Sequence, residues 1–186
     1  MNQPQFLVDN TVLVSFSLIG HLPILPAILN GQGRVCATVE GEAQRHANYN
    51  STDARLQPLL TIGQLFPVDC ANTSEMVRTQ GLRRQLASPG DPRTKHLGEA
   101  ETLAIIEQRY SCAAVIVTDD EPATRLAENL GITTATTLGL LKQGYNYQAL
   151  TDVELLTALT TLLKEKRKAP PLMTSLGQVR QWAEPL

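Results

Sequence analysis

Phe6-Leu7-Val8-Asp9-Asn10-Thr11-Val12-Leu13 sets three β-prone apolar residues directly before a carboxylate and two more residues able to cap a helix. Phe6 to Val8 reads as a short strand, and Asp9, Asn10 or Thr11 can each cap a helix that begins near Val12. The same order returns late in the chain. Ala114 to Thr118 is the clearest strand, and Asp119-Asp120 follow it, with Pro122 at a first helical position. Open parallel sheets bind their ligands at the carboxyl ends of the strands, so acids placed there from distant sequence converge on one spot. A helix needs only one carboxylate as its cap. The Asp119-Asp120 doublet sets like charges side by side where a helix N-terminus compensates only in part, an arrangement that a bound cation relieves.

Between these two points, strands and helices alternate. A helix from Val12 ends at Gly20, and Leu22-Pro23 opens a short one that reaches Asn30-Gly31. Val35 to Val39 reads as a second buried strand, followed by a helix over Glu40 to Asn48. Ala54 to Leu60 reads as a helix and Leu65 to Val68 as a strand ending at Asp69. Ser74 to Leu86 is amphipathic, Ser88 to Pro92 is a loop by composition, and Gly98 opens a helix through Arg109. Gly131 ends the helix begun at Pro122, Ile132 to Ala135 is a last short strand, and Leu138 to Lys142 is helical. Thr151 and Glu154 have capping-box spacing, which predicts a helix over Val153 to Lys166; Ser175 to Ala183 forms a terminal one. The alternation predicts an α/β fold with a mainly parallel central sheet of about five strands and helices on both faces.

The 186 residues, 42% hydrophobic, suffice for one buried α/β domain, with residues 146–186 as a C-terminal helical extension packed on it. A formal charge of −2 argues against strong nonspecific attraction to phosphate backbones over the whole surface, so any nucleic-acid contact is local. Cys36, Cys70 and Cys112 are odd in number and widely spaced, which fits a reducing cytoplasm and neither a zinc site nor a disulfide framework. No run approaches the roughly 18–20 apolar residues that span a bilayer. No membrane role is expected.

Further acids stand at helix starts: Glu42 after Cys36-Ala37-Thr38-Val39, and the pair Glu99 and Glu101 after Leu97-Gly98. The sum is a candidate acidic pocket for Mg²⁺ or Mn²⁺. Glu99 and Glu101 lie about 200° apart around a helix, so one ion is not expected to take both. Glu99 shares its stripe with Leu103, Ile106 and Tyr110, and Glu101 shares one with Ala104, Ile105 and Gln108. Either carboxylate also suits a helix's first turn, and periodicity leaves the choice open. Arg78, Arg83, Arg84, Arg93, Lys95 and His96 form the best basic patch beside the third acid, against the alternative of an ordinary solvated helix face. His21 and His46 lack partners at ligand spacing.

These segments resemble a known family. Residues 6–13 are similar to the opening strand and first acid of PIN-domain proteins, and Val39-Glu40-Gly41-Glu42 is similar to their second acid. Gly98-Glu99-Ala100-Glu101 resembles the third-acid helix of a prokaryotic branch of that family, and Thr118-Asp119-Asp120 its fourth-acid strand end. Leu130-Gly131-Ile132 and Thr137-Leu138-Gly139-Leu140-Leu141 resemble segments that follow in the same branch. The likeness runs in order over residues 6–145 and favours Glu101 as the third acid, whereas the helical stripe favours Glu99. The chain departs from the pattern in having Glu for the usual Asp at that acid, and in an insertion-like segment near residues 50–95.

The resemblance implies a PIN-like, Rossmann-like three-layer sandwich and a Mg²⁺- or Mn²⁺-dependent endoribonuclease, often the toxin of a toxin–antitoxin pair. It further implies RNA as substrate, an antitoxin protein as partner and a homodimer, with the apolar stretches Val12 to Leu29 or Val153 to Leu163 as candidate pairing surfaces. On this reading Asp9 and Asp120 bind metal directly, Glu42 and Glu99 or Glu101 complete the site, and Asp119 binds a second ion or orients water. Thr11 and Thr118 would hold a water or phosphate oxygen, and Arg93 and Lys95 the RNA backbone. The rival is a PIN-like scaffold or RNA- or protein-binding module without activity. An aspartyl phosphatase fails because Thr11 stands where its second Asp belongs.

Overall fold

The computed structural model describes residues 4–184. Five parallel strands, β1 (Phe6–Val8), β2 (Gly33–Cys36), β3 (Val68–Asp69), β4 (Val115–Val117) and β5 (Thr133–Ala135), form one sheet in the order β3-β2-β1-β4-β5. The expected mainly parallel sheet is parallel throughout. Leaving β1 the chain moves toward β2, whereas leaving β4 it moves the other way, toward β5. Right-handed crossovers therefore place helices on opposite faces and open a crevice between the carboxyl ends of β1 and β4.

The helices are α1 (Asn10–Leu18), α2 (Leu25–Ile28), α3 (Ala37–Tyr49), α4 (Ile62–Leu65), α5 (Thr73–Leu86), α6 (Leu97–Arg109), α7 (Glu121–Asn129), α8 (Thr137–Asn146), α9 (Asp152–Lys164) and α10 (Leu176–Ala183). Short 3₁₀ turns occupy Leu22–Ile24 and Ala54–Thr61. Leu7, Val8, Val35 and Ile116 from the strands are fully buried against Val12, Leu13, Val39, Leu103 and Ile106 from the helices, so the sheet is apolar on both faces. Leu155, Leu159 and Leu162 of α9 and Val179 of α10 join the same core. Thr151 and Glu154 form the expected capping box, and Asn72 with Glu75 forms a second at the start of α5.

Three boundaries differ from expectation. β2 stops at Cys36, and Ala37, Thr38 and Val39 already belong to α3. Val39 is fully buried as a helical residue, so packing overrides its strand propensity. β3 contains only Val68 and Asp69, while Leu65 closes α4 and Pro67, which has no N–H to donate, contributes its carbonyl to Val35 N at 3.1 Å. Residues 54–61 carry Pro58 inside and wind as a 3₁₀ helix. The apolar stretch Val12 to Leu29 is core: Val12, Leu13, Phe16, Leu25 and Leu29 are wholly buried, which removes it as a pairing surface. On α9, Val153 and Leu163 remain exposed.

Candidate metal centre

Val8 lies level with Val117 in the sheet, so Asp9 and Thr118 leave adjacent strand ends together. Asp9 N donates to Val117 O at 2.9 Å. Asp9 caps α1, its Oδ2 accepting from Thr11 N at 3.3 Å, Thr11 Oγ1 at 2.5 Å and Thr118 Oγ1 at 3.1 Å. Asp120 caps α7 by accepting from Ala123 N at 2.8 Å, while Asp120 N donates to Thr118 Oγ1 at 3.1 Å. Capping and clustering, alternatives in the sequence, are one arrangement here. Thr118, fully buried, joins the two acids through a single hydroxyl.

Glu42 enters from the second turn of α3 and lies against the start of α6. A Cβ built on Gly98 would stand 2.7 Å from Glu42 Oε2, so glycine leaves the room that this carboxylate occupies. Glu99, one residue on, faces Asp9 and Asp120, whose charges act on it. Glu101 points elsewhere: its carboxylate accepts from Thr38 Oγ1 and lines a neighbouring pocket of about 300 Å³ with Leu97, Met76 and Thr79. The acids gathered at the crevice are thus Asp9, Glu42, Glu99 and Asp120, with Glu99 in the place left open between Glu99 and Glu101; of these, Glu99 and Asp120 have donor atoms within 4.8 Å of one another, together with one of His96. The helical stripe pointed to this geometry and the family pattern to the other. Glu40, in the first turn of α3, packs against Gly63 of α4.

Burial raises the pKa of Asp9 against the pull of its hydrogen bonds. Burial and the neighbouring Asp9 and Glu99 push Glu42 up to about 7. Burial, with Asp9 and Asp120, raises Glu99. Among the described residues no salt bridge reaches Asp9, Glu42 or Asp120. Asp69 gives the contrast within the same molecule. It is also buried, but Arg34 grips it through two hydrogen bonds of 2.8 Å, Tyr110 donates at 3.0 Å, Arg109 stands at 3.1 Å, and the net result is a lowered pKa. One set of acids is neutralised from within. The other has the all-oxygen donor chemistry of a divalent cation site.

Asp119 is not an open ligand as expected. Its Oδ1 accepts from Thr137 N at 2.9 Å and its Oδ2 from Thr137 Oγ1 at 2.5 Å, tying the end of β4 to the start of α8. Thr11 and Thr118 are likewise engaged in orienting acids rather than left open for a phosphate. The expected basic patch is partly spent internally, because Lys95 pairs with Asp91 at 2.8 Å and Arg78 with Glu107 at 2.5 Å. Arg84 and Arg93 are exposed and make no ion pair among the described residues.

Two neighbours with side-chain nitrogens were not assigned to the centre from sequence. Arg45, one turn after Glu42 on α3, acts electrostatically on that carboxylate. His96 stands over Glu99, with Nδ1 3.6 Å from Oε1. The three-residue spacing from His96 to Glu99, at a helix start, was the available signal.

Residues 5–171, nearly the whole chain, match the model of a family described as a PIN domain. No curated protein matches.

Proposed function

The chain belongs to the PIN-domain family, whose members are generally metal-using nucleases, and from this we propose that it is a Mg²⁺- or Mn²⁺-dependent endoribonuclease. The observation that carries the reading is the gathering of Asp9, Glu42, Glu99 and Asp120 at the crevice, with raised pKa values at Asp9, Glu42 and Glu99 and, among the described residues, no salt bridge to Asp9, Glu42 or Asp120. A divalent ion, when bound, supplies charge neutralisation at the phosphate and a water of lowered pKa.

The protein's own residues supply position. Thr11 and Thr118 fix the Asp9 carboxylate, and the start of α7 fixes Asp120, so both acids are set before any ligand arrives. Gly98 admits Glu42 to the same side. Asp119 holds α8 against the centre through Thr137. Arg45 and Arg93, both exposed, are the proposed contacts for the flanking RNA backbone, offsetting the repulsion of the acids.

A toxin role, with an antitoxin covering the cleft, is the biological form of this reading. Met76 and Val77, 59% and 71% exposed beside the Glu101 pocket, offer an apolar contact for such a partner.

The test is incubation of the purified protein with mixed RNA and Mn²⁺, with and without chelator, alongside Asp9→Asn. Cleavage is expected from the wild type only, and only without chelator. Asn retains a capping oxygen, so the variant should fold and, metal-free, melt higher through relieved repulsion. An unchanged cleavage rate in Asp9→Asn refutes the ligand assignment; no cleavage by the wild type favours a scaffold.

A further inference from the structure

We propose that His96 is a nitrogen ligand of this centre and biases it toward Mn²⁺ over Mg²⁺. The inference rests on the metal-nuclease reading and adds to it the identity of the ion. His96 occupies the N-cap position of α6, without a capping hydrogen bond from its side chain, in a left-handed backbone, φ +61°, which is uncommon for a residue with a side chain. That conformation turns the imidazole back over the helix start. Its side chain is only 9% exposed, and Nδ1 is buried without a hydrogen-bond partner among the described residues. Nδ1 lies 3.6 Å from Glu99 Oε1, too far for a hydrogen bond. Donor atoms of His96, Glu99 and Asp120 all lie within 4.8 Å of one another, close to the spread around one ion.

The far side of the ring supports the same assignment. Nε2 faces Asp91 Oδ2 at 3.8 Å, and Asp91 is held in place by Lys95 Nζ at 2.8 Å and Ser88 N at 2.9 Å. A neutral imidazole carries one N–H and one lone pair. A carboxylate thus stands off each ring nitrogen; with Nδ1 bound to an ion beside Glu99 and Asp120, the Nε2–H would point toward Asp91, the carboxylate–histidine–metal order of many metal sites. Imidazole suits transition ions, whereas Mg²⁺ prefers oxygen ligands in a near-ideal octahedron. Carboxylates alone would accept either ion; the nitrogen separates them.

Pulsed electron paramagnetic resonance of Mn²⁺ bound to the full-length protein tests this directly, with Mn²⁺ and Mg²⁺ affinities measured by titration calorimetry. The wild type is expected to show ¹⁴N coupling from one imidazole. His96→Asn, chosen because asparagine tolerates the left-handed backbone, and His96→Gln are expected to lose it. Mn²⁺ affinity should fall at least about tenfold in both variants, with Mg²⁺ affinity changing far less. Bound Mn²⁺ without nitrogen coupling in the wild type, or an unaltered Mn²⁺ to Mg²⁺ affinity ratio in the variants, overturns the role of His96 and leaves the metal centre standing. No Mn²⁺ binding by the wild type overturns both. The wild-type spectrum decides the question even if neither variant folds.

Discussion

Glu42 carries the cost of its surroundings as a shifted proton affinity. Its pKa rises from 4.5 to about 7, first through burial and then through Asp9 and Glu99, so at pH 8 the metal-free fold holds an ionised group that its environment disfavours. Glu42→Gln keeps the shape and removes the charge. In chelator at pH 8 it should stabilise the protein by about 2 kcal/mol after discounting for partial exposure, read as a higher denaturant midpoint. At pH 5 the difference should shrink, and it should vanish only below about pH 4, where Glu42 is protonated in the unfolded chain as well. An equal midpoint at pH 8 would mean that Glu42 ionises as an ordinary surface acid. Cys36, by contrast, has its thiol pushed up to about 12 by burial and by Glu101, and is inert.

At the scale of elements, the centre depends on how closely α3 and α6 approach, and Gly98 marks the point of contact. Gly98→Ala would bring a methyl within 2.7 Å of Glu42 Oε2. The nearest group is the end of a flexible side chain, but Val39 Cγ2, fully buried in the core, stands at 3.0 Å and must also give, so stability should fall by about 1 kcal/mol in thermal melts. Metal affinity and cleavage should fall, because the carboxylate must swing out of the cluster. Equal loss of fold and function would instead make Gly98 a packing residue. The strand ends that carry Asp9 and Asp120 were legible in sequence because buried parallel strands read as unbroken apolar runs followed by caps. The start of α3 was not, since Val35 to Val39 is one apolar run and only the packing of Val39 in a helix divides it. The Glu99 and Glu101 question was open for a related reason: both lie within the first turns of α6, and which one faces the crevice depends on its rotation against β2. Thr38, whose hydroxyl takes up Glu101, belongs to the very turn that the sequence assigned to a strand. His96 stood in a run of cations and read as one more, until its backbone turned it inward.

Across the whole molecule, two populations of acids set opposite pH responses. Asp9, Glu42 and Glu99 have raised pKa values, so their contribution to stability is full below the unfolded values near 4 and is lost as pH rises through the folded ones. Asp69 is lowered by its partners, so its contribution is present above 3.8 and is lost only as pH falls further. Metal-free melting temperature should therefore peak in mildly acidic solution and decline from about pH 5 to 8. Excess Mn²⁺ should reverse that decline, since a cation binds the deprotonated acids. A metal-free melting profile flat from pH 5 to 8 would contradict the raised values. The sheet's outer borders carry a different consequence. β3 offers two residues and β5 three, and Asp69, at the end of β3, is clamped by Arg34 and Tyr110. Neither margin has the length to recruit a foreign strand, so fibril-like growth by backbone pairing is discouraged. Val153 and Leu163 of α9, by contrast, leave apolar side chains open to contact.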